Sequence, residues 1–239
     1  MIEMLFQNEL VVRGLLVLTV QLLLGGSVLF FAYNLLKKAK NKLTITSSAF
    51  FICWAGGYML PAIFFFVQIN PFSFVIYNLA IFIINLAHAF LVLFAYNLSK
   101  RNNDRFSKIE ALYLVVYGIL AILVLLIPFG ISYSLETNWV PIFSWLFSIV
   151  MLSVYTIIAL LPMLYYIIRL KKAIYEGIVK KKLNYLFVGL IWMILIQYPV
   201  ALYNTWIDNQ IYRAFWSVFT YFNIIAFVLI FFGTRKEVE

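Results

Sequence analysis

A chain of 239 residues that is 65% hydrophobic and 11% charged is not composed like a soluble domain, which runs about 45–50% apolar and about 25% charged. Its formal net charge of +9 falls in short clusters between apolar runs, as topogenic charge does. No basic patch interleaved with aromatics in a polar domain points to nucleic acid, and the single cysteine, Cys53, excludes an intrachain disulfide or a thiolate cluster.

Recurrent apolar runs of about twenty residues or more read as membrane spans. Seven are expected, over 10–36, 43–69, 72–98, 109–133, 139–170, 183–206 and 211–232. The fold class is therefore an all-α integral membrane protein, one seven-helix transmembrane domain over 1–239. The first run lacks a basic leader and a small-x-small cleavage site, so it reads as a retained helix. Gly25 and Gly26 in span 1 mark a close-packing point. Pro61 in span 2 removes a backbone bond at membrane depth and is a hinge candidate, as is Pro199 in span 6. Asn70 and Pro71 make a turn before span 3, which carries Asn78, Asn85, His88 and Tyr96 on one face. Span 4 is the plainest. Span 5 is 32 residues long, longer than a hydrocarbon core of about 30 Å needs at about 1.5 Å per residue. Pro141 sits near its start and Pro162 nearer its inner end.

The stretch from 169 to 182, RLKKAIYEGIVKKK, holds Arg169, Lys171, Lys172, Lys180, Lys181 and Lys182 against one acid, Glu176. Ile167, Leu170, Ile174 and Ile178 recur there at helical spacing, so span 5 is expected to continue as an amphipathic helix. Assigning the breaks alternately to two sides puts sixteen lysines and arginines on one side and only Arg13 and Arg213 on the other. That asymmetry places the N-terminus outside and the C-terminus in the cytoplasm, in a multi-pass protein of the cell membrane. Trp139, Trp145, Trp206 and Trp216 then lie at the outer boundary, where an interfacial belt belongs.

The chemistry of the spans is uncharged. No Asp, Glu, Lys or Arg sits in the middle of any of them, which argues against an ion-coupled transporter or pump. Paired carboxylates for acid–base work are missing. One histidine makes neither a bis-histidine haem site nor a tridentate zinc site. No enzyme, cofactor or metal is expected. His88 is an interior histidine bonded to a neighbouring helix, or a pH-sensing or ligand-contacting residue. The candidate site is a polar belt at mid-depth: Gln21, Asn85, His88, Tyr155, Thr156, Gln197, Tyr221 and Asn223. Neutral donors and acceptors flanked by aromatics suit a neutral or amphiphilic ligand.

Seven spans with the N-terminus out and the C-terminus in resemble the rhodopsins, the G-protein-coupled receptors and the membrane sensor region of some histidine kinases. The resemblance is one of topology. Span 7 holds no lysine for a retinal Schiff base. Span 3 ends in AYNLSKR where an Asp-Arg-Tyr would stand, and FNIIAFVLIFF in span 7 lacks Asn-Pro-x-x-Tyr. The resemblance implies a receptor- or sensor-like bundle whose output passes to a separate cytoplasmic protein, met at the basic face of Arg169–Lys182. A second pattern appears on shifting the chain by 138 residues. Trp54 then meets Trp192, Pro61 meets Pro199, and Asn85 meets Asn223. Spans 2 and 3 fall over spans 6 and 7, and span 4 becomes a linker. This is similar to the SWEET sugar transporters and implies a facilitator for a small neutral solute. Span 1 has no proline, a departure from that pattern. A third alternative is a structural membrane subunit whose polar belt only joins helices. The lipid bilayer is a partner under each reading, and a homo-oligomer is compatible with all three.

Overall fold

The structure, a computed structural model, describes residues 21–38, 41–67, 72–100, 106–133, 141–173, 178–219 and 222–234. Those residues are almost wholly helical. The helices are α1 (Leu23–Lys38), α2 (Lys42–Val67), α3 (Phe72–Ser99), α4 (Lys108–Leu125), α5 (Trp145–Tyr155), α6 (Leu161–Ala173), α7 (Ile178–Leu195), α8 (Gln197–Thr205), α9 (Gln210–Phe219) and α10 (Asn223–Thr234). A π-helical turn, Thr156–Leu160, joins α5 to α6, and a two-stranded antiparallel ladder pairs β1 (Ile131–Ser132) with β2 (Ile142–Phe143). Among the described residues, five helical stretches are long and apolar enough to cross a membrane: Lys42–Ala62, Phe74–Ser99, Lys108–Leu125, Trp145–Lys172 and Lys180–Thr205. Leu23–Lys37 is apolar but shorter. The chain is built as a membrane protein.

Spans 2 and 3 have the expected boundaries within two residues. Span 4 does not. It was expected to run to Tyr133, but α4 stops at Leu125 and Ile131–Ser132 is extended. Pro128 is the cause: it disfavours the helical conformation at Ile127 and cannot donate a backbone bond. The chain turns there, with the Gly130 amide donating to the Ile127 carbonyl at 3.0 Å. Pro141 likewise does not open a helix. It precedes β2, and the helix begins after Ser144, whose Oγ accepts the Phe147 amide at 3.2 Å as an N-cap. Span 6 begins five residues early, at Ile178, and breaks at Ile196. Span 7 is helical in two stretches, α9 and α10, and residues 220 and 221 between them lie outside the described residues.

Within the turn after α4, Phe129 adopts φ 55° and is 95% exposed. The left-handed region costs a residue with a Cβ about 1–2 kcal/mol, and asparagine tolerates it far better than a bulky aromatic. Phe129→Asn is therefore expected to stabilise the protein by about 1 kcal/mol in detergent unfolding, and a lower unfolding midpoint would contradict the strain.

The described chain divides into two compact units. One holds the described residues up to 97 with 106–125, and the other holds 98–100 with the described residues from 126 onward. In the first, α1 lies along α2. Gly25 admits Met59 there, while Gly26 faces open space, so one glycine of the pair makes the close approach. Gly57 of α2 sits against Ala80 and Ile84 of α3. The first turns of α2 and α4 meet in a buried ion pair. Lys42 Nζ lies 2.6 Å from Glu110 Oε1, the two side chains 6% and 1% exposed. The other oxygen of Glu110 accepts the Ser107 amide at 2.6 Å, and Ser107 Oγ accepts the Glu110 amide at 3.3 Å. That is a reciprocal capping box. Lys42 also lies over the Phe106 ring, 5.5 Å from its centroid.

In the second unit α7 lies along α10. Gly189 meets Ala226 and Ile230, and Gly233 meets Leu186. Several features recur 138 residues apart. A π-helical turn ends at Leu22 and another at Leu160. One helix ends at Val67 and another at Thr205, and one starts at Phe72 and another at Gln210. The close antiparallel approach recurs in nearly the same register: Gly189 against Ala226 and Ile230, moved back by 138, is position 51 against 88 and 92, and the first unit pairs 57 with 80 and 84.

Candidate functional site

Two helix irregularities face each other in the second unit. The first is the π-helical turn, where the Leu161 amide donates to the Thr156 carbonyl, five residues back. Pro162 follows at once. Having no amide to offer Ile158, it removes the bond that would hold the α register, and the ladder widens by one residue. Thr156 Oγ1 bonds back to the Leu152 carbonyl at 2.6 Å, a contact that loosens and bends helices. The second irregularity is the break between α7 and α8 at Ile196. Pro199 offers no amide to Leu195, and the ladder continues through Ile196 to Trp192 at 3.1 Å and Val200 to Ile196 at 3.2 Å.

Hydroxyl groups join the two. Tyr155 Oη donates to the Ile194 carbonyl at 3.0 Å, two residues before the break. Thr156 Oγ1 bonds Tyr198 Oη at 2.5 Å. The Tyr155 and Tyr198 rings meet edge to face, with centroids 6.0 Å apart. Towards the start of α5, Ser148 Oγ bonds Thr205 Oγ1 at 2.5 Å, and Thr205 Oγ1 also reaches the Ala201 carbonyl at 2.7 Å. Tyr212 of α9 donates to the Pro199 carbonyl at 3.0 Å. Tyr155 and Ser148 are each 2% exposed and Thr205 is 6% exposed. The cluster carries no charge. Arg213 of α9 stacks over the Tyr203 ring at 4.9 Å. Among the described residues no group of three His, Cys, Asp or Glu side chains is placed to hold a metal ion.

The expected belt divides between the units. Gln21 lies in the first π-helical turn, one residue before its end, and is half-buried. Asn85 is half-buried on α3, and its amide donates to the Ile81 carbonyl of its own helix at 2.9 Å. His88 is 1% exposed on the same helix. Those three belong to the first unit. Tyr155, Thr156 and Gln197 belong to the second, where Tyr155 and Thr156 are joined through Tyr198 and Gln197 opens α8, half-buried. Tyr221 lies outside the described residues, and Asn223 is described only as the first residue of α10. Pro61 lies inside an unbroken α2, whereas Pro199 follows a break. Arg169, Lys171 and Lys172 are exposed at the end of α6. Lys180 and Lys181, also exposed, and Lys182 fall in the first turns of α7 rather than in a loop, and Ile174 lies outside the described residues. Trp145 and Trp206 are exposed, but Trp216 is buried beside Phe219.

Ser148, Tyr198 and Thr205 were not among the expected contacts. A hydroxyl in an apolar run carries no signal of its partner, although Tyr198 beside Pro199 marks the break. Lys42 and Glu110 had a signal that charge counting passed over: Ser107-x-x-Glu110 ahead of an apolar run is a capping box.

No protein-family model, curated protein or solved structure matches the chain.

Proposed function

We propose that the chain is a seven-span bundle of the cell membrane, N-terminus outside and C-terminus cytoplasmic, that binds a small neutral or amphiphilic ligand and acts through a cytoplasmic partner. The observation that carries this reading is the uncharged hydroxyl cluster of Tyr155, Thr156 and Tyr198, set between a π-helical turn and a broken helix. Backbone irregularity at membrane depth is tolerated where protein or a polar cavity satisfies it, and π-helical turns concentrate at functional sites. The orientation rests on the distribution of lysine and arginine. The Lys42–Glu110 pair supports it, because it brings together the starts of α2 and α4, as an alternating traverse requires. The helix that carries Tyr155 and Thr156 also ends in Arg169, Lys171 and Lys172, so one rod joins the ligand contact to the basic face. The reading assigns no catalysis, cofactor or metal.

The 138-residue recurrence of helix boundaries favours a second reading, a facilitator for a small neutral solute built from two related three-helix units. The two make different demands. A sensor retains a ligand through purification in mild detergent, detected by mass spectrometry of the intact complex, and Tyr198→Phe or Thr156→Val reduces its retention. Each lost contact is worth about threefold, from about 0.6 kcal/mol per hydrogen bond in a membrane protein. A sensor also passes no labelled sugar into liposomes, and it loses partner capture when Lys180, Lys181 and Lys182 are neutralised. Sugar flux that falls in Asn85→Ala or Asn223→Ala would replace this reading with the facilitator. Retention unchanged in both hydroxyl variants would remove the site.

A further inference from the structure

We infer that the π-helical turn Thr156–Leu160 is a register hinge, whose release turns the basic inner end of α6 about its own axis. A π turn holds one residue more than the α turn it replaces. If the extra residue passes into the regular ladder, the segment beyond it rotates by about 100°, the angle of one residue. α5 is held by its N-cap at Ser144 and by Ser148 on Thr205, so α6 is the part that turns. Two groups hold the wide register. Pro162 denies Ile158 its α-helical donor. Thr156 Oγ1 is occupied by both the Leu152 carbonyl and Tyr198 Oη, which ties the first residue of the turn to α8.

The consequence at the inner end follows from burial. Ile167 and Leu170 are 2% and 7% exposed, while Ile168, Arg169, Lys171 and Lys172 face outwards. A rotation of about 100° carries Leu170 from the core towards the surface and redirects the three cations. A ligand hydroxyl that competes for Tyr198 releases Thr156 and so favours the turn. That trigger rests on the proposed ligand site. The hinge does not, and its test uses no ligand, so failure here and failure of ligand retention are separate results.

The test is thiol labelling of the full chain in detergent micelles with a water-soluble maleimide, in a Cys53→Ala background. Leu170→Cys reports the hinge, Lys172→Cys is the exposed reference, and Phe147→Cys, at a buried position of α5, reports general loosening. Leu170→Cys is expected to label slowly. Thr156→Val or Tyr198→Phe should each raise its rate about threefold without changing Phe147→Cys. Deleting Ile157, a residue exposed on the turn, restores an α ladder while keeping the faces of α5 and α6 in place, and it should abolish the labelling of Leu170→Cys. Unchanged rates in both hydroxyl variants, or equal acceleration at Phe147→Cys, would overturn the hinge. If the deletion variant fails to fold, the two hydroxyl variants decide alone.

Discussion

Lys42→Ala is expected to destabilise the first unit by about 3–5 kcal/mol, the cost of leaving a buried charge without its partner. Glu110 is 1% exposed and Lys42 6% exposed, so little solvent screens the pair. The carboxylate is doubly committed. One oxygen meets Lys42, and the other accepts the Ser107 amide at the start of α4. A helix N-terminus favours a carboxylate and disfavours a lysine. Glu110 therefore sits well on its own helix, while Lys42, the first residue of α2, sits badly on its own and depends on Glu110. Removing the lysine strands the acid. Removing both charges should not. Glu110→Gln keeps an acceptor for Ser107 and Lys42→Met keeps the length of the side chain, so the double variant should recover most of the loss. Replacing a buried pair with groups of similar shape is often neutral or stabilising. The four corners of that cycle, read as unfolding free energies in mixed micelles, give the coupling. Coupling below about 0.5 kcal/mol, the size of an exposed pair, would show that the two charges are solvated.

Gly233→Ala should be nearly as damaging in the second unit. A Cβ built on Gly233 lies 2.6 Å from the Leu186 backbone nitrogen and 2.8 Å from its Cα. No rotamer change relieves a clash with backbone, so α10 must move away from α7. Overpacking of this kind costs about 1–3 kcal/mol, and more when backbone must shift. Gly189→Ala meets the Ala226 carbonyl oxygen at 2.7 Å and is expected to behave alike. Gly26 and Gly118 are the controls, since nothing lies within 4 Å of an added Cβ there. Alanine at either should be neutral, or gain up to about 1 kcal/mol of helix propensity. If Gly233→Ala and Gly26→Ala gave equal unfolding midpoints, α7 and α10 would not be in the close contact described.

Hydropathy and punctuation located the middle helices well. Spans 2 and 3 begin at Lys42 and Phe72, where a lysine cluster and an Asn-Pro pair in the sequence bound apolar runs of the right length. They failed where a single residue decides backbone geometry. Pro128 stopped α4 inside an apolar run that hydropathy extends to Tyr133, and Ser144, not Pro141, opened α5. The polar belt was legible only as a set of residue types. Tyr155 and Thr156 were named from depth alone, while their meeting with Tyr198 and the Ile194 carbonyl depends on how α5 crosses α7 and α8.

By itself the amino-acid sequence determined that this is a helical protein with runs apolar enough to cross a membrane and, to within two residues, where α2 and α3 begin and end. These follow from transfer free energy, which adds residue by residue along the chain. The tertiary structure decided that Lys42 and Glu110 pair, that Pro199 follows a break while Pro61 does not, and that a π-helical turn faces Tyr198. Each of these depends on which atoms residues far apart in sequence bring within about 3 Å of one another, and local hydropathy carries no term for that distance.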